Sequence, residues 1–372
     1  YGVSTINGQF KSITATSAQI IALDFNNDIF TSDDGGANFD LKLDTSLLFD
    51  GTNENFTELE NFGATVIAVG VDGLTLRSSD DGLSWAKADS PPFLFGTLSG
   101  LTARSDAPNP NVWISVGSDA FDGRIFRSVD NGQNWTASGT LTDASLSDAI
   151  WTGTQWVVCG QDLFSSEGIV YISSNGTTWT ASTLPSGVSP LLAMATDGAG
   201  NVLAVGELGQ MLLSTNHGNA FTEIGEDFQG SLDLNAVTVD SSGVFYVGGD
   251  EKLLIGVNGT TATTLVPNNP QAAPILDFVL IDDEPVAVGS FPDAASRTLP
   301  FSVSIAPGGI LDFQLTVPET LVGNSYFLET TTDLTANDWA PVPSSTRSGN
   351  GSSLNFDVSD DGPRRFWRVV EF

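Results

Sequence analysis

A short apolar run closed by glycine recurs along the chain. It appears as Ile67-Ala68-Val69-Gly70, Ile114-Ser115-Val116-Gly117, Val157-Val158-Cys159-Gly160, Leu203-Ala204-Val205-Gly206, Phe245-Tyr246-Val247-Gly248 and Val286-Ala287-Val288-Gly289, with Ile21-Ala22-Leu23-Asp24 as the earliest member. From position 24 the steps are 46, 47, 43, 46, 42 and 41 residues. Brief apolar runs bounded by turn residues read as strands buried on both sides, and a period a little over 40 residues is that of a four-stranded propeller blade. One unit parses as strands at 234–239, 244–248, 252–256 and 262–266, from inner to outer. The first unit fits the same template with 10–16 as its inner strand, which leaves residues 2–6 where a preceding blade's outer strand would lie. The pattern therefore predicts an all-β chain. Residues 1–308 would form a seven-bladed β-propeller of four-stranded blades, with residues 2–6 closing blade 7 so that no sheet edge is left open.

A second signal follows the first at a fixed offset. Residues 78–85 read SSDDGLSW and 128–135 read SVDNGQNW; 32–39 read SDDGGANF, 214–221 STNHGNAF and 173–179 SSNGTTW. Residues 256–262, GVNGTTA, are a decayed copy, and the seventh unit has none. Ser and Asp side chains can bond to the backbone of their own turn, Gly supplies a positive φ, and the closing Trp or Phe can pack between neighbouring sheets. The pattern resembles the Asp box, or BNR repeat, of sialidase-like propellers over roughly residues 10–265. The resemblance implies that Asp34, Asp80, Asp130, Asn175 and Asn216, with Trp85, Trp135 and Trp179, are structural. They would lie between the third and fourth strands of each blade, on the face away from a ligand site. The same rhythm is similar to that of photosystem II assembly factors, which use basic patches on the ring; this sequence lacks such a patch.

The last 60-odd residues break the period. Strands are expected at 311–317, 325–332, 339–342, 354–358 and 365–370, in a small β-sandwich-like domain over 309–372. Tyr326, Glu329, Leu334, Trp339 and the closing Arg364-Arg365-Phe366-Trp367-Arg368 resemble a C-terminal β module of secreted proteins from Verrucomicrobia and related bacteria. That resemblance implies an extracellular or cell-surface setting.

Charge narrows the functions. The 372 residues carry 45 Asp+Glu against 13 Lys+Arg, a formal charge of −32. Nucleic-acid binding needs Lys and Arg to replace phosphate counterions, and docking on anionic lipid needs them too. Neither class fits. One Cys excludes an intrachain disulfide and cysteine zinc clusters, and one His excludes the HExxH pattern. No apolar run approaches the ~18 residues of a membrane helix. The first residues, Tyr1-Gly2-Val3-Ser4, have neither the basic start nor the apolar stretch of a signal peptide, so the start reads as a mature or trimmed end.

Candidate chemistry concentrates on the turns between second and third strands, which share a face with the outer-to-inner connections. Asp24 and Asp28, Asp72, Asp119 and Asp122, Asp162 and Glu167, Glu207, Asp250 and Glu251, and Asp293 place acid in every unit. Two readings stand: a carboxylate ring that attracts Ca²⁺ or a basic partner, or the ordinary preference of Asp for tight turns. Residues 24–28 have the one-three-five oxygen spacing of a calcium loop, but Gly35 stands where its bidentate Glu belongs. Sialidase chemistry lacks its arginine cluster: Arg77, Arg104, Arg124, Arg127 and Arg297 are the propeller's only arginines, and Arg77 and Arg127 sit at the wrong end of the blade. A hydrolase needing two carboxylates is neither supported nor excluded. His217 reads as a solvated turn residue and Cys159 as a buried small apolar one. Asn55, Asn134, Asn175, Asn258 and Asn350 head Asn-x-Ser/Thr triplets, three of them in the repeated turns.

The expectation is a non-enzymatic extracellular structural or interaction protein. Its acidic propeller would be a platform for self-assembly or for attachment to a protein partner or surface, with polymerisation by exchange of the N-terminal strand as a variant. The alternative is a carbohydrate-binding or glycoside-hydrolase module on a sialidase-like ring.

Overall fold

The computed structural model describes residues 4–5, 9–36, 38–48, 55–89, 95–106, 109–230, 232–266 and 274–289, and the C-terminal strands given below. The chain is all-β and divides into two compact units, Gly8–Phe291 and a second made of Tyr1–Asn7 with Pro292–Phe372.

The first unit is a β-propeller whose six complete blades are antiparallel four-stranded sheets, each hydrogen-bonded in chain order. Blade 1 runs Phe10–Ala15, Ile20–Asp24, Ile29–Ser32 and Asp40–Leu43; blade 2 runs Phe56–Phe62, Thr65–Gly70, Thr75–Ser78 and Ala86–Lys87. The inner strands of blades 3 to 6 are Gly96–Arg104, Ala144–Trp151, Leu191–Thr196 and Leu234–Val239. The seventh repeat contributes the antiparallel pair Ile275–Ile281 and Glu284–Gly289, and its inner strand packs against those of blades 6 and 1. Among the described residues the count of complete blades is thus six, not the seven expected. The seventh repeat is also the one without a copy of the SxDxGxxW turn, which joins third to fourth strand in blades 1 to 5. Of residues 2–6, the two-residue strand Ser4–Thr5 is described, and residues 2, 3 and 6 lie outside the described residues.

The recurrent glycine has a steric cause. It pairs with the apolar residue that opens the inner strand: Phe56 with Gly70, Leu98 with Gly117, Leu146 with Gly160 and Leu191 with Gly206. A Cβ there would stand 1.9–2.1 Å from a backbone carbonyl oxygen of that strand. In blade 6 the partner of Leu234 is Gly249, one residue beyond the glycine aligned by sequence, and in blade 1 it is Asp24. Immediately after this pair, the inner strand bulges by one residue in all seven repeats. The second strands are buried along their whole length in blades 1, 2, 5 and 6, because neighbouring blades cover both faces; hence their unbroken apolar runs. The outer strands Ala86–Lys87, Thr180–Ala181 and Thr222–Glu223 are exposed.

The five repeated turns share one hydrogen-bond pattern. Ser78 Oγ donates to Asp80 at 2.8 Å and accepts from Gly82 N at 2.9 Å, while Asp80 also accepts from Ser84 N at 2.9 Å. The same bonds recur at Ser128 and Asp130, Ser32 and Asp34, Ser214 and Asn216, and Ser173 and Asn175. These bonds hold the Asp80 carboxyl at about 2, the Ser84 hydroxyl contributing most. The turn glycine meets the preceding blade: at Gly132, with φ +81°, a Cβ would lie 2.1 Å from Ile67 Cδ1. Trp135 packs with Ile67 and Val69 of that blade, and Trp85 and Trp179 fill the corresponding clusters. The residue before the glycine is left-handed and tied to the preceding blade as well. Gln19 donates to Asp81 O, Asn131 to Thr65 Oγ1, and Gln155 to His217 O, while His217 Nδ1 lies 3.2 Å from Thr152 O. His217 therefore joins two blades rather than standing free in solvent.

The second unit contains two sheets. One orders Ser302–Ile305, Asp312–Val317 and Leu354–Ser359; in the other, Ser325–Thr331 pairs with Ala340–Pro341, Arg347–Ser348 and Phe366–Glu371. All five strands anticipated in this segment are present, with ends shifted by one or a few residues.

Candidate functional site

Two features of the ring gather chemistry: the face formed by the second-to-third strand turns, and the centre.

On the turn face, the turns are stitched to the outer-to-inner connections by backbone bonds. Asp72 N donates to Gly96 O, Leu163 N to Asp143 O, Glu207 N to Pro190 O and Asp250 N to Asp233 O. The anticipated carboxylates are there, but most are engaged by backbone. Asp24 accepts from Asn26 N and Asp28 N, both at 2.8 Å, and Asp28 accepts from Thr45 N. Asp72 accepts from Phe95 N at 2.8 Å, and Asp162 from Phe164 N at 2.9 Å and Ser165 N at 2.8 Å. Asp119 accepts from Phe121 N and Asp122 N and pairs with Arg124 at 2.6 Å. Burial alone would raise the Asp119 carboxyl; these donors outweigh it and hold the group below its ordinary range. Asp162 is lowered by the amides of Ser165 and Phe164. Asp250 accepts from Asn235 Nδ2. Glu207 opens a short 3-10 turn (Glu207–Gly209), and the amide of the following Leu208 donates to Asp233 at 2.9 Å. The second strand of the seventh repeat ends at Gly289, so Asp293 lies outside the described residues.

The acids in these turns thus hold particular neighbours in place, several of them apolar. Phe95, Phe121, Phe164 and Leu208 each donate their amide to a carboxylate and each expose their side chain, and Phe25 is exposed beside Asp24. Sequence reasoning passed over these residues because a single Phe in a turn carries no periodic signal. Their common position emerges only once the repeats are in register.

At the centre, the bulge places one residue per inner strand at an equivalent position: Ser12, Glu58, Gly100, Asp148, Ala193, Ala236 and Asp277. Three of them clasp the next strand in the ring. Ser12 Oγ accepts from Leu59 N at 3.0 Å, Asp148 from Met194 N at 2.7 Å, and Asp277 from Ile13 N at 2.8 Å and Ser12 Oγ at 3.0 Å. At Gly100 a Cβ would stand 2.6 Å from the Asp148 Cα, so the inner strands touch there. Glu58, Asp148 and Asp277 come from repeats that are not adjacent, yet their charges act on one another. All three stand at the bulge position of their inner strands, and Glu60 follows Glu58 two residues on.

Withdrawal from water is the main cause that pushes these acids up, to about 8 for Glu60, about 7 for Asp148 and about 6 for Asp277. Glu58 is raised by the same burial and then by the charges of Asp277, Asp148 and Glu60. None of the four was singled out from sequence. The signal that could have found them is an acid in the middle of an inner-strand pattern, where apolar or small residues stand in other units. Cys159 is buried, and burial with the nearby Asp148 charge raises its thiol well above the ordinary range, which leaves it unreactive. Among the described residues, no three Asp, Glu, His or Cys side chains converge as a metal site, the 24–28 loop included.

No family model and no curated protein matches the chain. Among solved structures it is similar to a streptogramin B lyase (TM-score 0.60, 10% identity, over 78% of this chain and 94% of that one). It is also similar to YCF48 bound to D1 peptide (0.54, 15%, 85% and 91%) and to the WD40 propeller domain of Doa1 (0.56, 11%, 78% and 92%). Likeness at such identities establishes the fold class, a β-propeller, and nothing about activity.

Proposed function

We propose that the chain is a non-enzymatic structural or interaction protein of the extracellular space or cell surface, whose acidic propeller is a platform for self-assembly or for attachment to a partner. The observation that carries this reading is the turn face: exposed apolar side chains on rigid, carboxylate-fastened turns, a cost in water that docking would recover. The shared bonding of the five SxDxGxxW-type turns supports reading the repeats as Asp-box turns of the sialidase-like kind, with a structural role on the opposite face. YCF48, a propeller of similar fold, holds a peptide in its solved structure. Light scattering with negative-stain microscopy, together with attachment of the purified protein to cells and surfaces, tests the reading. A strict monomer that attaches to nothing would end it.

One observation favours a second reading. Carboxyls held near neutral pKa at the ring centre have the property a glycoside hydrolase asks of its general acid. A polysaccharide hydrolysis screen with Glu60→Gln and Asp148→Asn as controls decides it, since turnover lost in both variants would favour the enzyme.

A further inference from the structure

We infer that the turn face docks a basic protein segment bearing apolar side chains; the inference rests on the platform reading above and names the chemistry of the partner. All four exposed phenylalanines among the described residues belong to the second-to-third turns or the connections bonded to them: Phe25, Phe95 (87% exposed), Phe121 (74%) and Phe164 (82%). Leu208 occupies the corresponding turn of blade 5 at 54%. Apolar side chains scattered singly over a surface need no explanation. These differ in three respects.

First, they recur at one place in the repeat, in the turns of blades 1, 3, 4 and 5 and in the connection that reaches the blade 2 turn. Second, Phe95 and Leu208 have φ of +64° and +55°, a left-handed backbone that Gly or Asn would adopt at lower cost. A position that pays for both an unfavourable backbone and an exposed apolar side chain is explained by what that side chain touches. Third, the turns are fixed in advance. The amides of Phe95, Phe121, Phe164 and Leu208 are bonded to Asp72, Asp119, Asp162 and Asp233, so little freedom is lost on docking.

The charge around these side chains selects the partner. Glu167 and Glu207 stand in the same turns. A surface of acids interleaved with apolar groups complements a Lys- or Arg-rich segment carrying Leu or Phe. A second copy of a chain with net charge −32 is repelled from it.

The test uses the full chain and three labelled synthetic peptides in fluorescence anisotropy: a Lys–Leu amphipathic peptide, a Lys–Ser peptide of equal charge and a Glu–Leu peptide. The Lys–Leu peptide is expected to bind about ten-fold more tightly than Lys–Ser, to weaken with salt, and to lose about ten-fold in affinity to a Phe121→Ser/Phe164→Ser double variant. Leu83→Ser, an exposed apolar change in a turn of the opposite face, should leave binding unchanged. Equal binding of Lys–Leu and Lys–Ser, or equal loss in Leu83→Ser, overturns the inference. If no peptide binds but the chain assembles or attaches to a polysaccharide, the inference fails and the platform reading stands. If the chain also neither assembles nor attaches to anything, both fall.

Discussion

The four acids at the ring centre should make the propeller more stable in mild acid than at neutral pH. An acid whose pKa is higher in the folded ring than in the open chain holds its proton more tightly when folded. Its contribution therefore favours the fold at low pH and turns against it as pH rises from the unfolded pKa toward the folded one. For Glu60 that window runs from 4.5 to about 8. At about 1.4 kcal/mol per pH unit, Glu60 alone costs the fold about 3 kcal/mol between about pH 5 and about pH 7.5. Asp148 and Asp277 add to the lower part of the window, with folded values of about 7 and about 6. The turn acid Asp80 has the opposite sign: its stabilising effect is present above the ordinary carboxylate range and is lost only as pH falls toward about 2, so it is constant over this window. Thermal unfolding at constant ionic strength should show Tm falling by at least roughly 6–12 °C from about pH 5 to about pH 7.5, the share of Glu60 alone given 2–4 °C per kcal/mol for a unit of this size. Glu60→Gln should flatten the slope, raising Tm near neutrality and leaving it nearly unchanged at about pH 5. A flat or rising Tm, or an unchanged slope in the variant, would refute the shared-centre argument.

Three further outcomes follow from single contacts. Gly160→Ala sets a Cβ 1.9 Å from the Ser145 carbonyl oxygen, which backbone pairing prevents from moving; it should cost about 3 kcal/mol or more in urea unfolding, or abolish soluble expression. Gly132→Ala also clashes, at 2.1 Å, but with the end of the Ile67 side chain; the positive φ and partial repacking should hold its cost to about 1–2 kcal/mol by the same measurement. Asp277→Ala leaves Ile13 N and Phe278 N without their acceptor and should lower stability by about 2 kcal/mol, whereas Asp277→Asn keeps an acceptor oxygen and should lose less.

The repeat and its strands were legible because each recurrent letter answers a steric demand. The glycine closing the second strand is where the inner strand passes within contact of its Cα, and the Ser, Asp and Gly of the turn each fill one hydrogen bond or one conformation. The six complete blades among the described residues were not legible from the apolar runs alone, since the seventh repeat has the same run as the others. The inner-strand bulge was invisible as well. A one-residue bulge leaves apolar positions on both sides of it and shifts only which side chain points to the centre, so Glu58, Asp148 and Asp277 read as acids in three unrelated strands.

The chain's acidity therefore has at least three physical origins, and they differ in what they can do. Asp34, Asp80 and Asp130 are turn acids already satisfied by Ser hydroxyls and backbone amides, and removing one costs stability without changing what the surface offers. Asp72, Asp119 and Asp162 are also bonded to amides, but the amides belong to exposed phenylalanines, so their role is to fix an apolar side chain in a charged setting. Glu58, Glu60, Asp148 and Asp277 are held above the ordinary carboxylate range, chiefly by burial, so they answer to pH rather than to a partner at the surface. On the turn face the charge that a partner would meet stands beside exposed apolar side chains. Binding to that face should therefore weaken with salt while the centre's pH response persists, because surface charges are screened within about 10 Å at 0.1 M and a buried group is screened much less. Measuring peptide affinity and the pH dependence of Tm across the same salt series separates the two.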